Sequence, residues 1–214
     1  MKKTKKIGIM GGTFDPIHIG HLILGETAYW QYGLDKVWFM PAGNPPHKQN
    51  RVGRADDNQR VDMVKLAISS NPHFELSMEE MNADGYSYSY RTLERLNQEH
   101  PDTEFYFIIG ADSLRDFDTW KEPARIVAAC NIVVATRNQT KPEIFDEMLE
   151  KQRNLFHGTF LKLDTPNLDI SSNTIRDRIH QGQTIRYYVA EEVRRYIEEH
   201  KIYEDSTKDG SITN

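Results

Sequence analysis

Short apolar runs alternate along the chain with segments whose apolar residues recur every three or four positions. Residues 7–10, 36–41, 74–77, 104–109, 131–136 and 160–163 have the length and composition of buried strands. Helical spacing follows at 22–30, at Val61, Val64, Leu66 and Ile68, and at Leu93 and Leu96. It returns in a charged stretch over 143–153, again after Ile170, and over 189–203, where Val189, Val193, Ile197 and Ile202 mark one face. Strand alternating with helix predicts an α/β fold. The expected form is an open, mostly parallel sheet with helices on both faces and a helical C-terminal part. No internal repeat or linker interrupts the pattern. Residues 1–204 are therefore expected to form a single domain, with 205–214 as a flexible polar tail.

The densest chemistry lies between the first strand and the first helix, where residues 11–21 read Gly-Gly-Thr-Phe-Asp-Pro-Ile-His-Ile-Gly-His. A strand, a glycine turn and a helix start form the context in which backbone N–H groups approach a phosphate. Gly11 and Gly12 are expected to leave room for a ligand, and Pro16 suits the bend before the helix. His18 and His21, three apart, share a face in the first helical turn. A single histidine there would be ordinary polar surface; the pair in this setting points to a site.

Further along, residues 41–60 form a polar loop with three arginines, and its Pro45-Pro46-His47-Lys48 segment puts cations beside a rigid turn. The run Ser87-Tyr88-Ser89-Tyr90 opens a helix, where its serines read as caps or as ligand donors. The clearest strand ends in Gly110-Ala111-Asp112, at the strand end where ligands gather in open parallel sheets. Asp112 reads equally as a helix N-cap or as an acceptor for ribose hydroxyls. Trp120 reads as core or as a stacking plane. Ile170-Ser171-Ser172-Asn173-Thr174-Ile175-Arg176 has the form of an anion site: helix dipole, hydroxyl donors and a fixed positive charge.

Composition narrows the partners. A formal net charge of −5 argues against a whole-surface attraction to nucleic acid. The lone cysteine, Cys130, allows neither a disulfide framework nor a Cys-rich zinc site within the chain. Apolar runs are far shorter than a membrane span and no signal-peptide core follows the N-terminal lysines, so a cytoplasmic location is the default expectation. No carboxylate cluster has the spacing of a dedicated metal site, and a zinc site at His18 and His21 lacks a third ligand nearby.

The 11–21 segment resembles the GxFxPxHxGH signature of the nucleotidyltransferase superfamily. Taken with Gly-x-Asp at 110–112 and the ISSxxIR pattern at 170–176, the chain is similar over nearly its whole length to bacterial nicotinate mononucleotide adenylyltransferases. Residues 45–48, 87–93, Trp120 and 189–197 favour that family over its relatives. The family often has Thr where this chain has Ser89 and Asn173; both retain a hydrogen-bonding group.

The resemblance implies a Rossmann-like fold and a reaction in which ATP and nicotinate mononucleotide give deamido-NAD and pyrophosphate. Mg2+ would be carried with ATP, and a homo-oligomer is possible within the family. It implies catalytic roles for His18, His21 and Arg176. ATP would be held by Gly11, Gly12, Thr13, Phe14, His18, His21, Lys48, Gly110, Asp112, Ile170, Ser171, Ser172, Thr174 and Arg176. The nicotinate half would fall to Ser87, Tyr88, Ser89, Trp120 and Lys121. The competing readings are another acceptor (nicotinamide mononucleotide or phosphopantetheine) and a nucleotide-binding module without the chemistry.

Overall fold

In β1 (Lys5–Gly12), Ile7 and Ile9 enter one hydrophobic cluster and Met10 enters another on the opposite face. The two-residue period of a strand produces this sorting. β4 (Thr103–Gly110) repeats it, with Phe105, Phe107 and Ile109 on one side and Tyr106 and Ile108 on the other. Strands covered on both faces need apolar residues at both parities, so 104–109 reads as an unbroken run.

The computed structural model describes residues 4–43, 53–81, 87–136, 141–166 and 168–204. The expected lysine-bearing segment 45–48, including Lys48, and the tail 205–214 lie outside the described residues. The remaining strands are β2 (Lys36–Pro41), β3 (Phe74–Leu76), β5 (Asn131–Ala135) and β6 (Phe160–Leu163). All six pair in parallel in the order β3-β2-β1-β4-β5-β6. This is the doubly wound arrangement, and its strand order reverses beside β1, between β1 and β4.

Helices cover both faces. α1 (Ile19–Tyr32), α2 (Asp57–Ile68), α7 (Ser172–His180) and α8 (Glu191–Glu199) supply residues to the cluster around Met10. α3 (Ser89–Glu99), α4 (Ala111–Arg115), α5 (Pro123–Ala129) and α6 (Pro142–Phe156) supply residues to the cluster around Ile9. α4 and α5 are too short to show a helical period in the sequence. The last helix is shorter than expected, ending at Glu199 instead of running to Tyr203. Lys201 and Tyr203 take left-handed backbone, with φ of 50° and 69°, so the chain turns there and seats Ile202 and Tyr203 in the core.

Candidate active site

Three rings of the β1–α1 turn pack as one stack against its glycines. Phe14 is 2% exposed and meets His21 edge-on, with centroids 5.0 Å apart. His21 stacks on His18 at 3.7 Å. The His18 ring lies over Gly20, where a Cβ would stand 3.0 Å from Nδ1. At the other end, a Cβ on Gly12 would stand 3.0 Å from the Phe14 ring. The space these glycines save is therefore filled by protein rings. This runs against the expectation that Gly12 keeps room for a ligand; at Gly11 a Cβ would stand in ordinary contact, 3.4 Å from the Phe107 ring, and Gly11 lines the cleft between β1 and β4. Phe14 itself takes a φ of 51°, a conformation bulky residues hold only when their surroundings impose it.

The stack also sets a proton. The His18 main-chain N–H donates to His21 Nδ1 at 3.2 Å. A nitrogen that accepts carries a lone pair, so neutral His21 bears its proton on Nε2. His18 is the N-cap of α1, and the first helical N–H, that of Ile19, is taken by the Tyr188 carbonyl at 2.9 Å.

Behind the stack, buried charges brace the turn. Arg60, 4% exposed, donates to the Thr13 carbonyl at 2.7 Å and the Ala42 carbonyl at 2.9 Å, and pairs with Asp57. Asp15, 2% exposed, accepts from Arg54, the Ala55 N–H and Tyr203. Arg176 donates to the Asp15 main-chain carbonyl and to Asn173. Burial, aided by the nearby Arg54 charge, lowers the Arg176 pKa from its usual value. At the start of α7, Ser171 accepts from the Thr174 N–H at 3.1 Å and shares a hydrogen bond with its hydroxyl at 2.8 Å. Ser172 donates to the Pro16 carbonyl at 2.9 Å. The ISSxxIR segment is thereby tied directly to the turn it is expected to serve.

Between β1 and β4 opens a cleft lined by Gly11, His18 and His21 on one side and Gly110, Asp112 and Trp120 on the other, with Ile170 contributing from the α7 side. Gly110, not Asp112, is the N-cap of α4. Asp112 stands in the first turn with an exposed carboxylate paired to Arg115 at 3.1 Å. Trp120 packs against Phe117 at 5.4 Å and edge-on to Phe107 at 6.3 Å, which holds its ring at the cleft wall. Burial pushes the Cys130 thiol up to about 12, which leaves it no useful thiolate for nucleophilic work.

Not every expected residue lines this cleft. Gly12, Thr13 and Phe14 form its backing. Ser87 donates to the Glu80 carbonyl at 3.1 Å, Tyr88 is the N-cap of α3, Ser89 is its first residue, and Lys121 is exposed; none is among the lining residues. Asp15, Gly20, Arg60 and Ser113 went unassigned from sequence. Asp15 and Gly20 sit inside the motif, so the signal was present without its meaning; Ser113 lines the cleft and Arg60 carried no signal. Among the described residues, no group of three or more His, Cys, Asp or Glu side chains is placed to hold a metal ion. Among the described residues, no helix is long and apolar enough to cross a membrane.

The cytidylyltransferase-like family matches residues 9–178. The chain is 41% identical to a probable nicotinate-nucleotide adenylyltransferase of Thermoanaerobacter sp. (strain X514), over 98% of this chain and 100% of that one. It is 42% identical to one of Clostridium novyi (strain NT), over 93% and 99%. In fold it is similar to Plasmodium falciparum nicotinic acid mononucleotide adenylyltransferase complexed with NaAD, at a TM-score of 0.75 and 19% identity, covering 93% of this chain and 97% of that one. Signature, sheet order and relatives agree: the chain belongs to the cytidylyltransferase-like family and, within it, to the nicotinate-nucleotide adenylyltransferases, and it is a nucleotidyltransferase.

Proposed function

We propose that the cleft between β1 and β4 joins Mg–ATP to nicotinate mononucleotide, releasing pyrophosphate and deamido-NAD. The observation that carries this reading is the His18–His21 stack, held at the sheet's switch point opposite Asp112 and Trp120. A phosphate oxygen of the acceptor attacks the α-phosphorus of ATP. The new oxygen–phosphorus bond forms as the bond to the bridging β-phosphate oxygen breaks, and pyrophosphate carries away the electron pair. The nucleophile belongs to the substrate, so the protein's work is to align two anions and stabilise spreading charge.

In this reading His21 donates from Nε2 to the triphosphate, and His18 supports the same oxygens. Ser171, Ser172, Thr174 and Arg176 serve the β- and γ-phosphates; the Ser171 and Thr174 hydroxyls, paired at a solvent-facing helix start, are free to turn toward them. Asp112 accepts from the ATP ribose. Trp120 stacks on the pyridine ring, and Ser87 to Ser89 bear on acceptor choice from the start of α3. Mg2+ enters with the phosphates as part of the substrate. Residues 1–204 act as one unit around this cleft.

The test is pyrophosphate release from Mg–ATP with nicotinate mononucleotide, its amide and phosphopantetheine as parallel acceptors. Strong preference for the acid is the expected result. Equal turnover of the amide would remove the acid specificity, and silence with all three would leave a nucleotide-binding module.

A further inference from the structure

Asp15 lies between the glycine turn and the histidines, and its carboxylate is fully used. Tyr203 donates to Oδ1 at 2.6 Å, the Ala55 N–H donates to Oδ1 at 3.1 Å, and Arg54 donates to Oδ2 at 2.8 Å. These partners come from far apart in the chain: Tyr203 stands 188 positions away and Arg54 39. Asp15 and Tyr203 are both buried, while Arg54 keeps 23% of its side chain exposed. Arg176 Nη1 stands 3.8 Å from Asp15 Oδ2 and donates instead to the Asp15 main-chain carbonyl. One carboxylate therefore sits between two guanidiniums and is held off the second by its other donors.

We propose that Asp15, held by Tyr203 and Arg54, is a positioning residue that keeps the Arg176 guanidinium available to the phosphates of ATP. A carboxylate released from either donor would turn its oxygens onto Arg176 and close a charge-assisted, bidentate pair. That pair would neutralise the charge the phosphates need. With the hold intact, Arg176 is fixed in place by the carbonyl and Asn173 while the nearest Asp15 carboxylate oxygen stays 3.8 Å away. The Arg176 pKa is lowered first by burial and then by the nearby Arg54 charge, with Asp15 opposing the shift. The C-terminal segment thus acts on the ATP site through one hydroxyl. The inference rests on the role given above to Arg176.

The experiment compares Tyr203→Phe, Arg54→Gln and Arg176→Ala with the wild-type protein. It measures Mg–ATP binding by calorimetry, KM for ATP and for the acceptor, and Tm. Tyr203→Phe and Arg54→Gln are each expected to weaken Mg–ATP binding and raise KM for ATP about three- to ten-fold, with KM for the acceptor unchanged. Arg54→Gln, on a partly exposed side chain, keeps the test valid if Tyr203→Phe folds poorly. Two results overturn the proposal alone: wild-type ATP parameters in both variants while Arg176→Ala binds Mg–ATP weakly, or ATP and acceptor KM values rising together with a fall in Tm. Wild-type Mg–ATP binding by Arg176→Ala would overturn the role of Arg176 as well.

Discussion

The two walls of the cleft are built differently. On the β1 side the histidines are braced by buried neighbours: His18 is 7% exposed, half-buried His21 is held between His18 and buried Phe14, and Arg60 ties the turn to the end of β2. On the β4 side Asp112 is an exposed carboxylate paired with the exposed Arg115, and Trp120 is only half-buried. Charge develops at the phosphates during the reaction, whereas the ribose and pyridine groups change little. Donors that act on developing charge gain from being fixed before substrate arrives. Groups that merely bind can tighten afterwards. On the roles proposed above, the more firmly braced wall is the one that meets the developing charge.

Substitutions that break this contrast should therefore act on different constants. His21→Ala removes a fixed donor and is expected to lower kcat by about 10²–10³. A steady-state assay showing that loss with little change in acceptor KM places His21 on the phosphates. Gly20→Ala tests the stack without removing a polar group: the added methyl would stand 3.0 Å from Nδ1 of the His18 ring, which must shift. A fall in kcat of roughly ten-fold is expected, smaller than for His21→Ala because the donors survive. Trp120→Ala should leave kcat near normal and raise acceptor KM by about ten-fold, in line with ring stacking of about 1–3 kcal/mol; KM measured for both substrates separates this from a loss on the ATP side.

The smallest effect concerns stability. Glu80 is raised in pKa, chiefly by burial, against the opposing hydrogen bond from Thr92. A carboxyl raised on folding costs nothing below its unfolded pKa and destabilises the fold as pH rises above it. Glu80→Gln, which keeps an acceptor for Thr92, should raise Tm slightly at neutral pH and not at pH 3. Thermal melts at the two pH values check the sign.

Much of this plan was legible in the sequence because it is local. The strands 36–41 and 160–163 are read to the residue, since a short apolar run between polar turns has few alternatives. The histidine pair and the ISSxxIR segment were visible as chemistry, and the structure joins them through the Ser172–Pro16 and Arg176–Asp15 contacts. The sequence does not tell Gly12, whose space the Phe14 ring fills, from Gly11, which lines the cleft, because a missing Cβ looks the same whether a ligand or a neighbouring ring fills the space. Asp15 was passed over because its partners are remote, and its neighbours in sequence say nothing of Tyr203. The over-long last helix shows the same limit: left-handed turns at Lys201 and Tyr203 are imposed by packing, without a glycine to announce them.

The claim on which the rest depends is that the phosphate donors are set before ATP binds. Nitrogen-15 chemical shifts of the His21 imidazole in the free protein at neutral pH measure this directly. A protonated Nε2 with an unprotonated, accepting Nδ1, unchanged on adding Mg–ATP, is the result this account requires. A proton on Nδ1, or a tautomer that switches only when ATP arrives, would contradict it.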